Sequence, residues 1–342
     1  MKFAFIADIH LSRYGQDKIE IVSNLPERLH SIKQTLYEVA NYCINNGIDT
    51  IVIGGDTLHG KSVIYAIAQE IMIQYFSDFK DTLFFHVIDG NHDISGKSDT
   101  VVSALRPLET ISNVNWVPYN TTYRMNVNDV LMVPYSTKLP EIIRDNRADI
   151  LVSHFGLSEG ILNSGLSLVS DISMKDLEGR YKLVLLGHYH KSQEIIRSTI
   201  SLYYVGSTIQ LDWGEKGDVK RFLIVDTKNL DVQSIPFTSY KKHIEIVIDP
   251  DNVDAAIANA KQARADGNHV KVIMDKKADI SGFDGEFNIV DKTQSDITDR
   301  GVTSSMSQED KLLKYLEIRE IPEDVQELYA KEAFDIIQNC EI

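Results

Sequence analysis

Five times along this chain an apolar run of strand-forming residues stops at an acid, an amide or a histidine, and that recurrence limits its fold more than any other feature. The stretch Thr50-Ile51-Val52-Ile53-Gly54-Gly55-Asp56-Thr57-Leu58-His59-Gly60 is the plainest case. Four strand formers run into two glycines, which reads as a buried strand with a loop at its C-terminal end. A carboxylate there cannot enter the core bare, because burying an unpaired charge is too costly. Asp56 therefore reads as the shared member of a site fed from several strand ends. The same grammar gives residues 3–7 followed by Asp8-Ile9-His10, and residues 83–88 followed by Asp89-Gly90-Asn91-His92-Asp93. It returns at 149–152 followed by Ser153-His154, and at 182–186 followed by Gly187-His188-Tyr189-His190.

Between the first strands the period changes. Leu29, Ile32, Leu36, Val39 and Cys43 fall at spacings of three and four and stop at Gly47, which predicts a helix from about residue 26 to 46. Ile64, Ile67, Ile71 and Tyr75 predict a second. Strand–helix alternation of this kind implies an α/β core with its functional loops along one sheet edge. From about 113 the pattern turns to short strands, and helical periodicity is thin as far as 235. The expectation for the second half of the core is a mostly antiparallel sheet packed on the first.

With 342 residues the chain exceeds one simple core. Near Tyr240 a new unit begins, with strand patterns at 243–248, 270–274 and 287–290 around an Ala-rich helix at 253–265. Polar residues 294–305 read as a linker. Two helices are expected in the tail, the first capped by Ser307 and Asp310, the second starting at Pro322.

Asp8, His10, Asp56, Asn91, His154, His188 and His190 are the candidate metal ligands. Hard oxygens and imidazoles without thiolate suit Mn²⁺, Fe or Zn²⁺. Two ions sharing one carboxylate could orient a phosphate and supply a hydroxide. Asp8-x-His10 and His188-x-His190 can each bring both members to a metal only where the strand has already ended. One Asp-x-His alone is common; the ordered recurrence carries the reading. The formal charge of −15 argues against a chain that wraps nucleic acid unaided, though not against a nucleic-acid substrate held by metals or by a basic partner. Cys43 and Cys340 form no metal-type spacing and no disulfide framework, which fits a reducing compartment. The short apolar run after Lys2 is no signal peptide, and no run approaches a membrane span, so a soluble cytoplasmic protein with no membrane contact is expected.

The motifs Asp8-Ile9-His10, Gly55-Asp56, Gly90-Asn91-His92-Asp93, Ser153-His154 and Gly187-His188-Tyr189-His190 resemble the calcineurin-like metallophosphoesterases over about residues 1–210. That resemblance implies an α/β fold, a four-layer α-β-β-α sandwich carrying a small α+β capping domain and a C-terminal helical pair. It implies one ion held by Asp8, His10, Asp56 and His190 and another by Asp56, Asn91, His154 and His188. His92 would donate a proton to the leaving oxygen or stabilise the transition state, and Asp93 would orient His92.

Asp56-Thr57-Leu58-His59 departs from the protein phosphatases of the superfamily and is similar to the SbcD nucleases, relatives of the eukaryotic meiotic-recombination nuclease. In that family the histidine matching His59 helps place the DNA phosphate and the catalytic histidine. Tyr204-Val205-Gly206-Ser207 resembles another of its segments, with Val205 in place of proline; Leu58 replaces an aromatic residue, and Gly60-Lys61-Ser62 lacks the common Arg-Pro. The chain is most similar to the short phage and bacterial members. The resemblance implies a nuclease domain over 1–240, a capping domain over 241–293, a linker over 294–306 and ATPase-binding helices over 307–342. It implies two divalent ions per chain, Mn²⁺ with Mg²⁺ as the alternative, a homodimer, and an SMC-like SbcC-type ATPase as partner. The activity implied is double-strand exonuclease and single-strand endonuclease, serving DNA repair, recombination or replication. The competing readings are a phosphodiesterase for small or cyclic nucleotides and a non-catalytic DNA-end adaptor for the ATPase.

Overall fold

The computed structural model describes residues 1–14, 17–20, 23–95, 102–167, 169–283, 287–292, 306 and 308–318. The chain divides into two compact units, Met1–His243 and Ile244–Ile342. In the first unit, β1 (Lys2–Ile6), α1 (Glu27–Asn45), β2 (Thr50–Gly54), α2 (Ala66–Asp78) and β3 (Phe84–Ile88) follow one another as the periodicity predicts. A two-residue hairpin, β4 (Ile94–Ser95) with β5 (Val102–Ser103), precedes β6 (Val114–Val117). Then come β7 (Thr121–Met125), β8 (Asn128–Val133), α3 (Leu139–Asp145), β9 (Ile150–His154), α4 (Met174–Leu177), β10 (Leu183–Gly187), β11 (Gln193–Arg197) and β12 (Ile200–Tyr204). β13 (Arg221–Asp226) and β14 (Asp231–Pro236) return to the first sheet.

α1 shows why sequence and element agree. Leu29, Ile32, Leu36, Val39 and Cys43 all face the core. The helix ends where Gly47, at φ 64°, lets the Gly47 N–H bond the Ile44 carbonyl and the Ile48 N–H bond the Cys43 carbonyl. This paired closure satisfies carbonyls that the last turn leaves open.

The first sheet runs β14-β13-β1-β2-β3-β6, with β1, β2, β3 and β6 mutually parallel. The second runs β11-β12-β10-β9-β8-β7. Its centre is parallel at β12/β10, β10/β9 and β9/β8, and only the outer pairs β11/β12 and β7/β8 are antiparallel. The mostly antiparallel second sheet expected from the sequence is therefore corrected. The crossovers from β8 to β9 and from β9 to β10 run through α3 and α4, which are too short to leave a readable helical period, and β10 reaches its parallel neighbour β12 by way of β11.

Side-chain alternation gives four layers. Ala4, Ile6, Ile51 and Ile53 face α1 and α2, while Phe3, Phe5, Val52 and Ile88 meet Val130, Met132, Val152 and Leu185 between the sheets. Leu131, Val133, Leu151 and Val184 face α3 and α4 on the far side. Burial on both faces is why the central strands read as unbroken apolar runs.

The second unit holds β15 (His243–Val247, its first residue belonging to the first unit), α5 (Val253–Ala265), β16 (His269–Met274) and β17 (Asn288–Asp291) in one sheet ordered β15-β16-β17. Its own core includes Ile248, Ala256, Ala260, Val272 and Phe283. The first tail helix is α6 (Gln308–Ile318). The linker over 294–305, the cap at Ser307 and the second tail helix beginning at Pro322 lie outside the described residues. No helix among the described residues is long and apolar enough to cross a membrane.

Candidate metal centre

Because β1, β2 and β3 are parallel, Asp8, Asp56 and Asn91 leave the same edge of the first sheet. Past the strands the first two loops stay zipped. The Asp8 N–H donates to the Gly55 carbonyl at 3.1 Å, the His10 N–H to Asp56 at 2.9 Å and the Leu11 N–H to Thr57 at 2.9 Å. To aim their side chains inward from these loops, Asp8, His10 and Asp56 all adopt φ 52°, and His188 adopts φ 95°. Left-handed backbone at non-glycine residues is costly, and it persists where surrounding bonds enforce it, often at functional sites.

Gly90 opens the third loop, where a Cβ would land on the Asp56 carboxylate and amide nitrogen. Asp93, fully buried, accepts the N–H groups of Gly90 at 2.8 Å, Leu58 at 2.8 Å and Thr57 at 3.2 Å, and so ties the second loop to the third. The expectation that Asp93 orients His92 is corrected. The His92 Nδ1–H donates instead to the His59 carbonyl at 2.8 Å, and the His92 N–H donates to Asp56 Oδ1 at 2.8 Å. A carbonyl only accepts, so this bond leaves His92 Nε2 facing the site. The His59 ring stacks on His92 with centroids 5.2 Å apart, and its Nδ1 lies 3.2 Å from His10 Nδ1.

The second sheet brings the remaining candidate ligands. His154 ends β9 and donates from Nδ1 to the Gly54 carbonyl at 2.8 Å, leaving Nε2 at 3.3 Å from Asp56 Oδ2 and 3.1 Å from Asn91 Oδ1. His188 points Nδ1 at the same Asn91 oxygen, at 3.2 Å, while its N–H donates to Asp8 Oδ1 at 2.9 Å. His190 sets Nε2 3.0 Å from His10 Nε2. All seven ligand candidates and His92 and His59 thus meet at one place. The sequence reading missed Glu215, whose Oε1 accepts from His190 Nδ1 at 2.8 Å. Nothing in its local motif marks it, since the contact spans 25 positions.

The donor set fits divalent cations. Ligand atoms about 2.1 Å from an ion lie roughly 3.0–3.4 Å from one another. The separations across His10, His190, Asn91, His154 and Asp56 run from 3.0 to 3.6 Å. Asp8, His10 and His190 form one group of potential ligands, and Asp8, Asp56 and His154 another. Burial drives the His10 pKa well down and takes His188, with help from His154, to about 3, so both present lone pairs. Burial pushes Asp8 up, against His154 and His190. Burial also opposes the charge on Asp56, but His154, His10 and His92 outweigh it and hold its carboxyl below the usual range. His154 rises to about 9 because Asp56 and Asp8 overcome its burial. A site that concentrates positive charge this way is where a cation would displace a proton.

The family model for calcineurin-like phosphoesterases matches residues 1–192, more than half of the chain. Protein 244L of Invertebrate iridescent virus 6, named as a phosphoesterase, is 23% identical over 230 residues, covering 66% of this chain and 76% of its own. Among solved structures, an archaeal phosphodiesterase aligns with 69% of this chain and 100% of its own at 12% identity and a TM-score of 0.38. A hypothetical protein from Pyrococcus horikoshii OT3 aligns with 78% of this chain and 98% of its own at 13% identity and a TM-score of 0.40. The family match spans all of the converging loops, and on that ground the chain belongs to the calcineurin-like phosphoesterases, metal-dependent hydrolases of phosphoesters.

Proposed function

We propose that this protein is the nuclease subunit of an SbcCD-like complex, hydrolysing DNA phosphodiester bonds with two divalent ions, Mn²⁺ or Mg²⁺. The observation that carries the reading is His59, exposed beside the centre, stacked on His92 and holding it through its own carbonyl. A hydrolase for small phosphoesters has no evident need for a second histidine there, whereas a long polyanion offers a neighbouring phosphate for it to meet. Asp8, His10, Asp56 and His190 would hold one ion, and Asp56, Asn91, His154 and His188 the other. When bound, the ions neutralise the phosphate and supply a hydroxide nucleophile at neutral pH. The chain's residues do the rest. Asn91 and His188 orient the phosphate oxygens; His92, in its doubly protonated form, gives its Nε2 proton to the departing oxygen while Nδ1–H stays on the His59 carbonyl; and Asp93 keeps the loop carrying His92 fixed against Thr57 and Leu58. Gly206 supports the same family reading, because a Cβ there would meet the His190 carbonyl at 2.7 Å, so Tyr204-Val205-Gly206-Ser207 must pack bare against the His190 loop.

The partner and assembly follow from the same reading: an SbcC-type ATPase bound through residues 307–342, and a homodimer. A phosphodiesterase for small nucleotides is the second reading, favoured by the formal charge of −15, which opposes DNA binding by the chain alone. Digestion of end-labelled duplex DNA and of a small aryl phosphodiester in Mn²⁺ separates the two. Cleavage of both, with His59→Ala losing DNA cleavage more than tenfold beyond its effect on the small diester, is the expected result. Full turnover of the small diester with none of DNA, alone or with the ATPase, overturns the nuclease reading.

A further inference from the structure

His190 reaches the centre with one ring nitrogen and ends on a buried charge cluster with the other. Glu215, 3% exposed, closes the short turn Trp213–Glu215 and accepts from His190 Nδ1 at 2.8 Å through Oε1. Its second oxygen accepts from Lys220 Nζ at 2.7 Å, Ser207 Oγ at 3.0 Å and the Leu211 N–H at 3.1 Å. Lys220 is fully buried, donates to the His190 carbonyl at 3.0 Å and faces Asp218 at 3.4 Å. The loop is built around His190 at further points. The Ser207 N–H donates to the His190 carbonyl at 3.2 Å, and Gln210 Nε2 donates to the Asp218 carbonyl at 2.9 Å and so closes the turn.

A carboxylate can only accept, so the proton of a neutral His190 must sit on Nδ1, and the lone pair must sit on Nε2. The other imidazoles are backed differently. His154 leans on a backbone carbonyl, and His10 faces His59. A charged partner behind a ligating histidine fixes its ring and raises its basicity, and its loss commonly weakens metal binding about 10–100-fold. Lys220 gives Glu215 a second reason to stay ionised in a buried place, so the ion pair serves as a rigid mount for the ring.

We propose that Glu215, held by Lys220, is a positioning residue that fixes His190 as the Nδ1–H tautomer and aims Nε2 at the ion shared with Asp8, His10 and Asp56. The proposal rests on the two-ion reading above. Mn²⁺ binding to the full chain, measured by calorimetry and electron paramagnetic resonance, tests it with Glu215→Gln combined with Lys220→Met. This pair stays charge-neutral, but its single amide oxygen is claimed by Ser207 and Leu211, leaving an NH₂ group toward His190. The expected result is one ion bound roughly 10–100-fold more weakly and the other unchanged, with the metal-free melting temperature near wild type. Both ions retained at wild-type affinity would overturn the role. Should the variant fail to fold, imidazole ¹⁵N spectra of the metal-free wild type decide: a proton on His190 Nδ1 supports the role, and one on Nε2 alone refutes it. A wild type that binds fewer than two ions defeats the two-ion reading instead. The tautomer of the metal-free chain then still decides for or against Glu215.

Discussion

The Asp56 carboxylate is approached by the His92 N–H at 2.8 Å, His154 Nε2 at 3.3 Å and His10 Nε2 at 3.6 Å, so three loops depend on one side chain. His92 lies with His10 and His59 in a third group of potential ligands, but the two-ion reading assigns it to neither ion, so on that reading its loss should leave metal binding intact. For His92→Ala we predict wild-type Mn²⁺ binding with turnover reduced by about 10²–10⁴, the range of general acid catalysis; wild-type turnover would remove His92 from the mechanism. Gly90→Ala should act the other way. Its methyl would strike Asp56, so metal affinity should fall together with rate, as calorimetry would register. The candidate ligands could be picked out in the sequence because each follows an apolar run. The parts played by Asp93 and Glu215 were not: Asp93 spends its oxygens on backbone N–H groups, and Glu215 meets His190 only through the fold.

At the scale of elements, α1 and the central strands were readable because both faces or one clear stripe are apolar. α3 and α4 were missed for want of length, and β11 (Gln-Glu-Ile-Ile-Arg) because an edge strand with polar, exposed positions lacks that signal. One buried polar residue gives an element-scale test. His86 on β3 lies between Phe84 and Tyr123, touches Asn115, and is held by burial at a pKa of about 4. The unfolded chain takes up that proton near 6.5, so between these values unfolding gains a proton and stability falls as pH drops. The contribution is complete above about 6.5 and amounts to roughly 3 kcal/mol lost by pH 4. Urea melts should show His86→Phe losing less stability than wild type between pH 7 and pH 4. Parallel losses would show that burial of the imidazole carries no such term.

For the whole molecule, the formal charge of −15 bears on how substrate would be reached. If the proposed nuclease reading holds, a net acidic chain would meet DNA through its metals and few cationic contacts, so its own cleavage of duplex DNA should fall only gently with salt, and a basic partner should steepen that dependence. Rates from 50 to 200 mM salt, with and without the ATPase, check this; a steep decline for the chain alone would reveal a basic surface of its own. The central claim, that Asp56 joins loops from both sheets around a pair of ions, is met most directly by counting Mn²⁺ bound per chain in wild type and Asp56→Ala. The account predicts two spin-coupled ions in the wild type and neither held tightly in the variant. A single ion in the wild type, or two retained after Asp56→Ala, would contradict it.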